Sequence, residues 1–135
     1  MSVQLSVSVR TARLDTIEST IGGTAVMELR SGAAPANCAA VSTGTLLARD
    51  ALPADWMAAA AAGAKAKNGT WTLTGLGAGT IGHFRIFEAG SPDVCHIQGS
   101  VTATGGGGDM TVDNTSIALA QVVTVNTFTL TDGNA

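Results

Sequence analysis

Two cysteines and two histidines, Cys38, Cys95, His83 and His96, are the soft metal ligands of this chain. Cys95 and His96 are neighbours in a stretch that alternates in polarity, so as strand residues they point to opposite faces and cannot share one ion. Cys38 could meet His83 or His96 across space as a nucleophile with its base, but no local signature accompanies such a pair. One disulfide across the 57 positions between the cysteines is a further possibility. The expected state is nevertheless two free thiols, because two widely separated cysteines behind no recognisable export signal are more often buried and reduced.

The carboxylates are scattered. Asp109 and Asp113 flank Met110-Thr111-Val112 on one strand face, about 13 Å apart along the chain, which is too far for a glycosidase pair. The glycine run 105–108 suggests a phosphate cradle, but such a cradle needs a following Lys-Ser/Thr or a helix N-terminus. Here Asp109 and a strand-like segment follow, so the run reads as a hairpin tip or a place where another backbone comes close. Asn68-Gly69-Thr70 and Asn114-Thr115-Ser116 fit the glycosylation acceptor pattern and read as turn residues. No catalytic residue, metal, cofactor or small-molecule substrate is expected, and no enzymatic activity.

These residues must be positioned by a single domain of 135 residues. Hydrophobic residues make up 45% of it and charged ones only 13%, which excludes a disordered chain. The apolar mass is small in grain: 23 Ala and 17 Gly stand beside 18 Thr, with five aromatic residues and no tyrosine. A surface so poor in charge suggests cover by other copies or a partner. The net charge of −3 and the absence of aromatic pairs weigh against a nucleic-acid partner. The longest apolar run, 57–62, is far short of a membrane span, and the opening Ser2-Val3-Gln4-Leu5-Ser6 is too interrupted for a secretory signal. The expectation is a soluble protein.

Val3, Val7, Leu14, Ile17 and Ile21, with Arg10 in the gap, recur at steps of three and four and lie along one helical face. Val3, Leu5, Val7 and Val9 also alternate with polar residues at strand spacing. The pattern predicts a helix over 9–20 ended by Gly22-Gly23, with a lead-in that is extended or helical. Thr11, Asp15 and Glu18 fall on the opposite, solvent-facing side. Residues 1–22 are thus an N-terminal helix or arm and 23–135 a β domain. Leu14, Ile17 and Ile21 suit packing on that domain, whereas Val3, Leu5, Val7 and Val9 suit docking on a neighbouring subunit.

Period-two alternation marks strands at 25–29, 43–48, 71–73, 83–87, 95–103, 110–112 and 122–131. The last has apolar residues on both faces, so it is either bulged or covered on both sides. Asp55 and the alanines after Met57 predict one short helix near 54–63. Short strands with frequent turns point to a mainly β protein, an antiparallel sandwich of jelly-roll type. Trp56 and Trp71 belong in its core.

Several stretches together carry a resemblance. They are the 9–22 segment VRTARLDTIESTIG, Gly32-Ala33-Ala34-Pro35-Ala36-Asn37-Cys38, Leu52-Pro53-Ala54-Asp55-Trp56-Met57, Gly82-His83-Phe84-Arg85-Ile86, and 95–114 with its run of four consecutive glycines. Over nearly its full length the chain resembles a family of small virion structural proteins of tailed bacteriophages. The resemblance implies a virion component and transfers no functional residue. The expected role is a capsid decoration (cement) protein, assembled in the host cytoplasm, whose partners are its own copies and the major capsid protein lattice. A tail, connector or fibre-base protein is the alternative, and a carbohydrate-binding sandwich a further one. The candidate assembly contacts are Val3, Leu5, Val7, Val9, Gly106 and Gly107, glycine because it lets backbones approach closely.

Overall fold

Ser6 opens the regular structure by accepting the Val9 amide on its hydroxyl, and helix α1 (Val7–Ile21) follows. The computed structural model describes residues 3–133. Met1, Ser2, Asn134 and Ala135, the outer ends of the two predicted segments, lie outside the described residues. Gly22, at φ +85°, ends the helix by donating its amide to Glu18 O at 2.8 Å. The helix therefore begins two residues before the predicted start and settles the lead-in: Val7 and Val9 are helical, while residues 3–6 are irregular. Leu14 and Ile21 are buried and Ile17 packs against the core. The apolar stripe stops there, because Val3 and Val7 are exposed and Arg10 reaches instead to Asp132 O at 2.9 Å.

The supposedly wet face of α1 is the principal correction to the helix. Asp15 and Glu18 turn toward the sheet and hold the Lys65 ammonium at 2.7 and 2.9 Å. Spacing alone could not place a lysine that lies 50 residues away in the chain.

Nine strands follow among the described residues: β1 (Val26–Ser31), β2 (Leu46–Ala51), β3 (Ala64–Ala66), β4 (Thr72–Thr74), β5 (Gly79–Glu88), β6 (Val94–Ala103), β7 (Met110–Val112), β8 (Ser116–Ile117) and β9 (Val122–Thr131). The protein is mainly β, as expected. The strands belong to one mixed sheet in the order β2-β1-β5-β6-β7-β9-β3, with β4 on β9 and β8 on β5. The path also returns on itself: an Ala48–Gly75 bridge and a 2.7 Å bond from the Leu76 amide to Leu47 O join the end of β4 to β2. The apolar side chains turn inward from all round this curl. Trp56, Trp71, Phe128 and Phe84 form a chain of rings with centroids 6.0, 5.6 and 5.3 Å apart. Such contacts add about 0.5–1.5 kcal/mol each beyond burial.

The helix predicted near 54–63 is absent. The chain there is extended, with Ala58 donating to Ala66 O and Ala61 exchanging two 2.9 Å bonds with Ala64 across a turn at Ala62-Gly63. Both turn residues have positive φ, 51° and 75°, as a two-residue hairpin turn demands. Helix preference among alanines is worth only tenths of a kcal/mol per residue. Burying adjacent Trp56 and Met57, with the Trp56 indole N–H on Gly22 O, outweighs it. Asp55 caps nothing and accepts from the Asn68 side chain.

In β9 the bulge alternative holds. Val112 faces Val125 and Thr111 faces Thr127, leaving Asn126 as the extra residue. The phase change after Val125 brings Phe128 inward with Val123 and Val125.

The glycine run corrects two expectations, the hairpin tip and the all-antiparallel sheet. β7 runs parallel to β6, Val101 opposite Met110, although only six residues separate the strands. The chain accomplishes this by folding back flat on Thr102: a Cβ at Gly106 would meet the Thr102 side chain at 2.7 Å, and one at Gly108 the Thr102 amide at 2.9 Å. Asp109 then takes the Ser100 amide and hydroxyl at 2.9 and 3.0 Å, continuing the ladder before β7 begins.

Candidate functional site

Of the four residues in which chemistry was first sought, β5 carries His83, and both faces of the strand are buried over 83–87. Phe84 and Ile86 point into the core, while His83, Arg85 and Phe87 point outward beneath the 32–44 connection between β1 and β2. His83 Nδ1 lies 2.8 Å from Gly32 O. Arg85 donates to Ser42 Oγ at 2.6 Å, Cys38 O at 2.8 Å and Ala40 O at 3.1 Å, so one side chain gathers three residues of the connection. From β6, Gln98 donates to Pro35 O at 2.7 Å. His96 points the other way and pairs with Glu88 at 2.9 Å. The β5–β6 register shifts after Ile86, leaving His96 as the extra residue between Cys95, opposite Phe87, and Ile97, opposite Ile86, and among the described residues no three His, Cys, Asp or Glu side chains converge on one point.

The remaining carboxylates serve the ladder or the helix. Asp113 accepts the Thr124 amide at 3.0 Å, as Asp109 accepts that of Ser100. An open cleft of about 590 Å³ between α1 and the 55–68 segment is lined by Asp15, Glu18, Asp55 and Lys65. Burial alone would lower the Lys65 pKa, but its hydrogen bonds to Asp15 and Glu18 and their charges outweigh that and raise it. Its amine is therefore protonated at neutral pH and is no nucleophile. The Lys65 hydrogen bond, with the Ala60 amide, holds the Asp15 carboxyl below its usual range.

What the surface offers instead is apolar. Val3 is 85% exposed, and Val7 and Val9 about half exposed, at the helix start; Leu5 is half-buried. These residues sit by the C-terminal end of β9, where Arg10 and Arg13 meet Asp132. Gly106 and Gly107 are elsewhere, in the return after β6, where Gly106 abuts Thr102 with no space for a side chain and Gly107 faces open space, so the two halves of the predicted contact set are not brought together. At the opposite end of β9, Leu119 is 72% exposed, with Leu76 and Val122 about half exposed beside it. Gly75 joins them by donating to Gln121 O at 2.7 Å and accepting the Ala120 amide at 2.8 Å. The sequence reading missed this corner, although a leucine isolated between Gly75 and Gly77 is its local sign.

All five aromatic side chains are buried, so no ring is presented for stacking. No helix among the described residues is long and apolar enough to cross a membrane. Compared with known protein families, with curated proteins and with solved structures, the chain shows no significant match to any.

Proposed function

We propose that this chain is a structural protein of a tailed-bacteriophage virion, a decoration protein bound to the outer capsid shell through its own copies and the major capsid protein lattice. The observation that carries the reading is the clustering of six of the exposed large apolar side chains at the two ends of β9, Val3, Val7 and Val9 at one and Leu76, Leu119 and Val122 at the other, with Val41 and Val94 exposed singly elsewhere. Two remote apolar patches on a charge-poor β domain suit a subunit that touches neighbours on two sides. The resemblance over the 9–22, 32–38, 52–57, 82–86 and 95–114 stretches supplies the virion context. A carbohydrate-binding module would present aromatic faces, and the burial of every ring counts against it.

Copy number in purified particles tests the proposal. Hundreds of copies per particle support shell decoration. A dozen or fewer would instead indicate a tail, connector or fibre-base station. Absence from the particle would sink the virion reading altogether.

A further inference from the structure

The 32–44 connection covers the outer face of β5 and β6, and none of its own residues is fully buried. Its attachments are polar: Arg85 on Cys38 O, Ala40 O and Ser42 Oγ, His83 on Gly32 O, and Gln98 on Pro35 O. Three of the atoms beneath it, His83 Nε2, Arg85 Nε and Gln98 Oε1, are buried without a hydrogen-bond partner. A cover resting on an incompletely satisfied polar floor is held less firmly than its bond count suggests, because each orphaned group retains its desolvation cost.

The two thiols meet at this place. Cys38 lies on the connection, its carbonyl held by Arg85, and Cys95 lies on β6 opposite Phe87 of β5, on the face Arg85 shares. The Cys95 thiol donates to Ile97 O at 3.5 Å and interacts electrostatically with Cys38 and the Arg85 guanidinium. Both cysteines are reduced and half-buried, and the chain has no others, so only one intramolecular disulfide can form.

We propose that Cys38 and Cys95 are a redox clasp, which closes to a disulfide and locks the 32–44 connection onto β6. The oxidant is a small disulfide. The thiolate of one cysteine attacks a sulfur of that reagent, forming a mixed disulfide and releasing one small thiolate. The thiolate of the second cysteine then attacks the protein sulfur of the mixed disulfide, forming the Cys38–Cys95 bond and releasing the other small thiolate. Two protein thiols are oxidised, one small disulfide is reduced to two thiols, and the two cysteine protons pass to the two leaving thiolates. The Arg85 charge favours the thiolate that each step requires, against the burial and the neighbouring Cys38 thiol that raise the Cys95 pKa. The bond spans 57 positions, so it constrains the unfolded chain as well as the connection.

Treating the full chain with oxidised glutathione tests this. The expected product has lost two hydrogens in mass, yields a proteolytic fragment joining Cys38 to Cys95, and melts about 10 °C higher, reverting on reduction. Amide exchange across 33–44 should slow in the oxidised form. Persistent glutathione adducts, a cross-linked dimer or unreacted thiols would each overturn the clasp, and unchanged exchange would overturn the locking of the connection. Cys38→Ser and Cys95→Ser, separately, should melt as the reduced protein does and show no rise with oxidant; a rise in either also overturns it.

Discussion

Two buried cations pin two covers to the same sheet, and they do so differently. Lys65 on β3, 2% exposed, holds α1 through the carboxylates of Asp15 and Glu18. Arg85 on β5, also 2% exposed, holds the 32–44 connection through two carbonyls and a hydroxyl. Among the described residues no carboxylate lies within ion-pair distance of Arg85: Glu28, its cross-strand neighbour, is taken up by Arg30 and Arg49 at 2.8 and 2.6 Å. A lysine, a compact charge, is satisfied by ions it can share, whereas the guanidinium fork distributes its charge over several neutral acceptors. The helix is thus fastened by ion pairs and adds apolar burial from Leu14, Ile17 and Ile21, while the connection is fastened by hydrogen bonds to neutral acceptors.

The largest effect should come from stranding a cation. Replacing both Asp15→Asn and Glu18→Gln leaves Lys65 buried with no counter-charge, and denaturant unfolding should show a greater loss than Lys65→Met. In the lysine variant the carboxylates are left at the surface, where water reaches them. Equal losses would mean that the pair acts as packing, with no net charge effect.

Arg85→Met comes next. It should cost about 1.5–3 kcal/mol, the scale of hydrogen bonds made by a charged group, concentrated in the connection. Amide exchange over 33–44 should rise sharply and alkylation of Cys95 should quicken, with α1 protection unchanged. Loss of protection in the helix as well would show that the two covers are coupled.

Alkaline pH separates the covers without mutation. Burial, with the neighbouring Cys38 thiol, pushes the Cys95 thiol from an ordinary 9.0 up to about 11. A raised folded pKa gives stability that is present below the unfolded value and lost as pH rises through the folded one. The connection should therefore begin to loosen from about pH 9. The Lys65 pKa is raised too, so its contribution is intact up to the ordinary lysine value of about 10.4 and fails above it. Exchange measured between pH 8 and 11, corrected for its intrinsic pH dependence, should show the connection opening before the helix. On the acid side the helix cover responds: the lowered pKa of Asp15 gives stability that is present above the unfolded value, about 3.9, and lost as pH falls through the folded one.

The smallest effect belongs to the free end of α1. Val3→Ser with Val7→Ser should change stability by less than about 0.5 kcal/mol, since neither side chain is packed. Binding to the particle, or self-association in sedimentation, should fall. Retained binding at full occupancy would remove the arm from the contact surface.

Local pattern alone determined much of this molecule. Strand alternation located β1, β5, β6 and β9, because a half-buried pleat demands period two wherever it lies. The C-cap of α1 followed from Gly22, and the bulge at Asn126 was one of two outcomes that apolar residues on both faces permit. The core positions of Trp56 and Trp71 were legible from their size and apolar setting. Tertiary structure decided the rest. The alanines after Met57 became a hairpin because β9 and the core around Trp56 bind an extended chain more strongly than alanine favours a helix. The glycine run became a parallel return because Thr102 lay beneath it. Asp15 and Glu18 turned inward for a lysine, and Cys38 met Cys95, across 50 and 57 positions respectively. Such pairings have no local sign, because their energy comes from burying and satisfying groups that only the closed sheet brings together.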